Sequence, residues 1–254
     1  MNALDTVHRY HSLRLGVSLA DLQAGQVAVA TSPRRTIAER SYGFISLAWV
    51  LSIGDRAAVS VHPAALSDVS RLAWNVKPED VLGDDFCGRA RDAIGIALVI
   101  SDLPVSGEDI ALYHPGDATV VPTDGEVRPV TEADKQRWVG QRQFWHAGEH
   151  PSAERGEAFG VFIGNQLVAD VITHDPTVAE MAHLVAEDGI EVSEGFRRQG
   201  YGKALLSFWT AEMQRRGRVC IHHAAAGNEA SVALARSVGY LEYARSRFVT
   251  RRPG

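Results

Sequence analysis

The sequence predicts a mixed α/β protein in two parts, a smaller mixed α/β domain over residues 1–120 and a second domain over residues 126–254. Three observations carry this. Short apolar, β-rich runs alternate with segments of helical periodicity, the pattern of helices layered on a sheet. Ile190 to Lys203 reads as an apolar strand, a basic glycine-bearing turn and a helix start. Between the two parts, Asp117, Pro122, Asp124 and Gly125 crowd turn formers into one short stretch, the expected linker.

Taken in order, Met1 to Tyr10 is polar and predicts a fraying end. Leu19 to Gln23 reads as a short helix capped by Ser18, and Gly25 to Thr31 as a strand. Phe44–Ile53 and Ala57–Val61 are strands joined through Gly54-Asp55. Pro63–Leu72 and Pro78–Ala93 read as helices, the second with Val81, Leu82, Phe86 and Ala90 on one side. Ala93 to Ile100 reads as an apolar strand, and Leu112 to Gly116 as a strand entering a turn. No catalytic signature stands in this half, which reads as a structural or substrate-shaping domain.

Beyond the linker, Val127 starts a strand, and Thr131 with Asp134 caps a helix expected from Glu132 to about Phe144. Ala158–Ile163 and Gln166–Ile172 are strands joined by Gly164-Asn165, a hairpin signal. Val178–Val185 and Gly189–Val192 continue the sheet, with Glu187-Asp188-Gly189 as a turn or bulge between them. A helix from Tyr201 to Arg216 carries Ala204, Leu205, Phe208, Trp209 and Met213 at helical spacing, and Gly217 ends it. Strands follow at Arg218–Ala224 and Tyr240–Thr250.

A strand running into such a turn and helix leaves the helix's first N–H groups without intrahelical partners, at the positive end of the dipole. This is a site for a phosphate or diphosphate. Gly200 and Gly202 permit close approach to the backbone, while Arg197, Arg198 and Lys203 add positive charge.

Arg197-Arg198-Gln199-Gly200-Tyr201-Gly202 resembles the R/Q-x-x-G-x-G/A signature of the GNAT superfamily of N-acetyltransferases. Asn228 to Tyr240 resembles that family's second signature, N-x-x-[AS]-x-x-L-x-x-x-x-G-[FY], and the two occur in the family's order. The resemblance covers roughly the last half of the chain, from about Val127. It implies a GNAT fold for that half, preceded by a smaller mixed domain that a degenerate GNAT-like copy would also fit, although no residue-level repeat supports a copy. It implies acetyl-coenzyme A as cosubstrate and an amine as acceptor. Ile190, Glu191 and Val192 then lie beside the pantetheine arm, with the Val192 N–H as donor to the acetyl carbonyl. Backbone N–H groups of Arg198, Gln199, Gly200, Tyr201, Gly202 and Lys203 hold the pyrophosphate beside Arg197, and Asn228 contacts the pantetheine side.

The chain departs from the family in one respect. Many relatives carry a tyrosine after the signature leucine, which protonates the departing thiolate; here Leu234 is followed by Ala235. Ser231, Tyr240, Tyr243 or a water must then supply the proton. Tyr240 also occupies the family's aromatic core position. For the general base, Glu191 lies on the cofactor strand, and Glu180, Glu187, Asp188 and His183 lie near it. Each of these acids also reads as a solvated surface group.

Composition narrows the alternatives. With 254 residues, a net charge of −5, 45% hydrophobic and 22% charged residues, the chain has ordinary globular composition. The acidic balance argues against a nucleic-acid surface. No run of about 18 apolar residues exists to span a membrane. Cys87 and Cys220 are far apart without metal spacing and read as reduced thiols of a cytoplasmic protein. His146-Ala147-Gly148-Glu149-His150 fits the H-x-x-E-H zinc-peptidase pattern. Gly148 and Pro151 disfavour the helix such a site needs, so no metal is assigned. Trp145, His146 and His150 are instead candidates for shaping the acceptor pocket, and His222 and His223 point to opposite faces of their strand. The expected function is acetyl transfer from acetyl-coenzyme A to a primary amine of a small molecule or protein. A non-catalytic acyl-coenzyme A-binding module is the alternative. The sequence leaves the acceptor and a homodimer open.

Overall fold

The computed structural model describes residues 2–38, 43–139 and 150–252. Its strands are β1 (Val27–Thr31), β2 (Ile45–Ile53), β3 (Arg56–Val61), β4 (Asp109–Tyr113), β5 (Glu126–Pro129), β6 (Phe159–Ile163), β7 (Gln166–His174), β8 (Val185–Val192), β9 (Val219–Ala225) and β10 (Leu241–Arg251). They hydrogen-bond into one 10-stranded sheet in the order β1-β3-β2-β10-β4-β9-β8-β7-β6-β5. The pairs β1–β3 and β8–β9 are parallel, and the other neighbours are antiparallel. The sheet runs through both halves of the chain, because the last strand, β10, returns to lie between β2 and β4. The linker lies along the helix α5 (Tyr201–Arg215), where Ala118 N–H donates to Gln214 at 2.8 Å and Val121 N–H to Ser207 at 2.9 Å.

Helix α5 packs on the sheet through Leu205, Leu206, Trp209 and Met213, all fully buried. The Trp209 indole N–H donates to Thr173 at 2.9 Å, so the ring brings no orphaned donor into the core. Beside α5 lies α6 (Glu229–Ser237), and both cover one face of β7–β9. The other face is covered by α1 (Ala3–Leu15), through Val7, Tyr10 and Leu15. Around β1–β3 the core is completed by α2 (Leu66–Ala73) and α3 (Asp84–Leu98).

Five expectations are corrected. The N-terminal stretch is an ordered helix. Its polar look hides a stripe at helical spacing, Val7, Tyr10, His11 and Leu15, and Asn2 and Asp5 form a capping box. Asn2→Ala is therefore expected to cost about 1 kcal/mol, read as a lower urea midpoint at unchanged slope. Second, most of Ala93 to Ile100 belongs to α3. Its apolar residues do not alternate across a sheet: Ile94 is buried with Phe86 and Ala90, while Ile96 is 80% exposed. Third, Val178 to Val185 contains a short 3-10 turn, Ala179–Met181, rather than a strand. Fourth, β8 runs straight through Glu187-Asp188-Gly189, expected as a turn. The glycine fits there because the His174 ring takes the side-chain space, 2.5 Å from where a Cβ would stand. From Glu132, 3-10 structure extends to Arg137. Trp138 then bridges Leu167, so the helix expected from Glu132 does not form there; its remainder, residues 140–144, lies outside the described residues, as do Trp145, His146 and Glu149.

Candidate active site

Strands β8 and β9 start side by side and then part. They pair in parallel at Val185–Val219, Ala186–Cys220 and Glu187–Ile221, and no further. Past that point β8 remains paired with β7 as far as Val192, and β9 with β4 as far as Ala225. A wedge therefore opens at the carboxyl ends of two parallel strands, where among the described residues the ladder between them has ended. Open α/β sheets bind ligands in such crevices, where the exposed N–H and C=O groups need partners.

The chain leaving β8 builds the mouth of the wedge. A 3-10 turn, Glu194–Phe196, leads into Arg198 at φ 60° and Gly200 at φ 91°, the N-cap of α5. The left-handed φ explains a glycine at 200, and no side chain caps the helix there. The first-turn N–H groups of α5 are thus offered outward as an anion site. Arg197 Nε donates to the Val192 carbonyl at 3.0 Å, and Gln199 Nε2 to the Gly195 carbonyl at 3.0 Å, fixing the turn. Gly202 has a different reason. A Cβ there would stand 3.1 Å from Val192 and 3.5 Å from Leu234, so this glycine lets α5 close onto β8 and α6. Arg198 is exposed and Lys203 half-buried.

Titratable groups flank the apex on both faces of the sheet. Toward α6, His222 Nδ1 lies 2.9 Å from one Asp188 carboxylate oxygen and 3.0 Å from the other. His222 Nε2 lies 2.8 Å from the Ser231 hydroxyl. Burial opposes charge on His222, but the Asp188 carboxylate and its hydrogen bond outweigh burial and hold the imidazole above its ordinary value. Because the folded value lies above the unfolded one, this pair adds stability at acidic pH that is lost as pH rises through the folded value. Toward α1, Tyr10 donates to the buried Glu187 carboxylate, and His223 Nε2 lies 3.9 Å from the same group. Next to them a cavity of about 360 Å³ is lined by Arg14, Asp109, His223, Ala225 and Phe248, among others. Burial raises the Asp109 carboxyl above its ordinary value.

The structure brings several sequence candidates together. Ile190 and Val192 face the α5 side of the wedge strand, packed against that core. Glu191 pairs across β7 with the buried Asp170. Asn228 caps α6, its Oδ1 accepting from Ser231 N–H at 3.2 Å, which fixes Ser231 over His222. Tyr240 is only 2% exposed, and its hydroxyl lies 2.8 Å from Thr210 inside the core. Burial drives its phenol well above its ordinary range. Tyr243 lies on the α1 face, 2.9 Å from His8. Ala235 is fully buried, so its position faces core rather than wedge. His150 caps the short helix α4 (Pro151–Glu154), its Nδ1 accepting from Ser152 N–H at 3.2 Å.

Asp188 and His222 were missed as a unit. Neither is a solvated surface group, since both side chains are almost wholly buried against each other. Strand alternation did place His222 and His223 on opposite faces, which the structure shows. Nothing local in the sequence indicates that β8 and β9 bring Asp188 to His222.

Residues 123–240 match the model of the Acetyltransferase (GNAT) family. Among solved structures, the chain is similar to a protein assigned to the GNAT family from Novosphingobium aromaticivorans, with a TM-score of 0.47 and 19% identity over 59% of this chain and 66% of that one. It is similar to a GNAT-family acetyltransferase from Colwellia psychrerythraea, with a TM-score of 0.48 and 16% identity over 76% of each chain. A GCN5-related N-acetyltransferase from Kribbella flavida gives a TM-score of 0.45 and 17% identity over 63% of this chain and 64% of that one. The match thus spans less than two thirds of the Novosphingobium and Kribbella chains. No curated protein matches the chain significantly.

Proposed function

We propose, on the match of residues 123–240 to the acetyltransferase (GNAT) family model, that the protein moves an acetyl group from acetyl-coenzyme A directly to a primary amine. The observation that carries this reading is the wedge. The part of β8 beyond its ladder with β9, Asp188 to Val192, leads into a helix N-terminus without a side-chain cap, with Gly200 in a left-handed conformation. A molecule with a diphosphate at one end and an amide-bearing arm at the other fits both halves of that surface. The diphosphate meets the N–H groups between Arg198 and Lys203, with Arg197 and Arg198 beside it. The arm runs along Ile190, Glu191 and Val192 on the side of β8 away from β7, and Asn228 offers its amide NH2 from the start of α6. The Val192 N–H is the donor to the acyl carbonyl.

The acceptor enters from the α1 face, through the cavity lined by Asp109 and His223. Both Asp109 and Glu187 favour a cationic amine over an anion. Glu187, buried at the apex and oriented by Tyr10, receives the proton that the ammonium must lose before it attacks. The acceptor is a small amine, such as an amino acid, polyamine or amine-bearing antibiotic, or an amine on a protein. Cys87 and Cys220 are both free and buried, and no helix among the described residues is long and apolar enough to cross a membrane. These features fit a cytoplasmic enzyme.

Acetyl-coenzyme A at about 100 times its Kd is expected to raise stability by about 2.7 kcal/mol, seen as a higher Tm. Thiol release should then appear with one or more members of an amine panel. A non-catalytic acyl-coenzyme A-binding module predicts the Tm shift without thiol release. Absence of the shift itself would remove the coenzyme from the reading.

A further inference from the structure

We propose that Ser231, His222 and Asp188 form a proton relay that delivers the proton to the departing coenzyme A thiolate, with Ser231 as the donor in contact with sulfur. The inference rests on the transferase reading above and deepens it by supplying the general acid. Ala235, where relatives carry their acid, holds no proton and is fully buried. The relay instead enters from the first turn of α6, where Ser231 meets the His222 ring. Unlike its two partners, Ser231 is half-exposed, which leaves its hydroxyl one side toward His222 and one side toward a ligand.

The geometry sets the direction of proton flow. Asp188 lies within 3.0 Å of Nδ1, which fixes the ring so that Nε2 addresses the Ser231 oxygen at 2.8 Å. Asp188 also stabilises the protonated ring, so His222 stores a proton where an isolated buried imidazole would release it. Other titratable groups near the ring are Tyr240, its centroid 6.2 Å away, and Cys220. Burial holds both in their neutral forms, so neither competes for the charge.

The step balances as follows. The neutral amine nitrogen adds to the thioester carbonyl carbon, and the nitrogen's extra proton leaves to water, Glu187 having taken the ammonium proton beforehand. The tetrahedral intermediate collapses, the C–S bond breaks, and sulfur keeps the electron pair. Ser231 Oγ gives its proton to sulfur and takes one from His222 Nε2, leaving the ring neutral. Solvent reprotonates the ring before the next turnover. Ser231 is the catalytic residue here, while His222 and Asp188 act through it as positioning residues and proton store.

The test compares wild type with Ser231→Ala, Ser231→Thr, His222→Gln and Asp188→Asn, using acetyl-coenzyme A and the amine that supports wild-type turnover. Ser231→Ala is expected to lower kcat by about 100-fold with little change in KM for acetyl-coenzyme A. Ser231→Thr, which keeps a hydroxyl, should restore most of the rate. The wild-type kcat should fall as pH rises through the elevated His222 pKa, and His222→Gln should lose that limb. Melting curves with and without acetyl-coenzyme A show which variants fold and bind. A wild type that releases no thiol with any amine ends the transferase reading and the relay with it. A turning-over wild type whose Ser231→Ala variant keeps its kcat ends the relay alone. Acetylation of Ser231 by acetyl-coenzyme A without amine, seen as the mass of one acetyl group, also overturns the relay, because the serine is then a nucleophile.

Discussion

Gly200→Asp is expected to weaken acetyl-coenzyme A binding by at least about 100-fold while leaving the protein folded. The residue caps α5 at φ 91°, and a Cβ added there meets nothing within 4 Å. The strain of a left-handed non-glycine residue is about 1–2 kcal/mol. An aspartate recovers part of it, because its carboxylate accepts from the first helical N–H groups as a good N-cap does. That same hydrogen bonding removes the donors a diphosphate needs and sets a negative charge against it, and like charges brought together cost several kcal/mol. Calorimetric titration with acetyl-coenzyme A should therefore lose its signal while the melting temperature shifts by only a few degrees. Gly202→Asp is the contrasting control. Its Cβ would press on Val192 and Leu234, so it should lose stability together with binding. Tight binding by Gly200→Asp would show that the diphosphate rests elsewhere.

The contrast between these two glycines measures what the sequence made legible. Both stood out as punctuation before a helix, and the turn and the α6 signature were readable because each is local. The separate reasons for the two glycines came only with the packing of Val192 and Leu234. The catalytic constellation was less legible still. Ser231 was one of several candidate proton donors, yet its partners come from β8 and β9, and Asp188 precedes His222 by 34 residues. A contact of that kind is set by strand register, which no local pattern encodes. Glu187-Asp188-Gly189 misled for a related reason. Two acids and a glycine read as a solvated turn, whereas Tyr10 and His222 partner the acids inside the sheet. Helix α1 was missed although its Asn2–Asp5 capping box was there to be read, because its polar residues outnumber its apolar stripe. The place of β10 between β2 and β4 is likewise a long-range pairing, joining residues from both ends of the chain.

Arg218→Met is expected to be the most destabilising single change near the wedge that leaves the proposed chemistry untouched. Arg218 stands just before β9 and is 9% exposed. Its Nε and Nη2 donate to the Val185 carbonyl at 3.1 and 2.9 Å, and its Nη1 to Glu157 at 2.7 Å. It therefore clasps the closed end of the β8–β9 pair, one residue from where the parallel ladder begins. Burial pulls the guanidinium below its usual range and Glu157 pushes back, the sign of a charge held in place by its partner. Removing it leaves a buried carbonyl and a carboxylate short of a partner, a change that typically costs about 3–5 kcal/mol. Glu157 keeps Arg155 at 3.0 Å and Arg216 at 3.8 Å, which places the expected loss near about 3 kcal/mol, the lower end of that range. For a chain of this size that is a fall in Tm of roughly 6–12 °C. Adding Glu157→Gln should recover part of the loss, because the uncompensated charge is then gone while the Val185 carbonyl remains unsatisfied. If Arg218→Met melts with the wild type, the clasp does not hold the strands together. The fixed apex from which the wedge opens must then be credited to the surrounding apolar core, Val185, Ala186, Cys220 and Ile221.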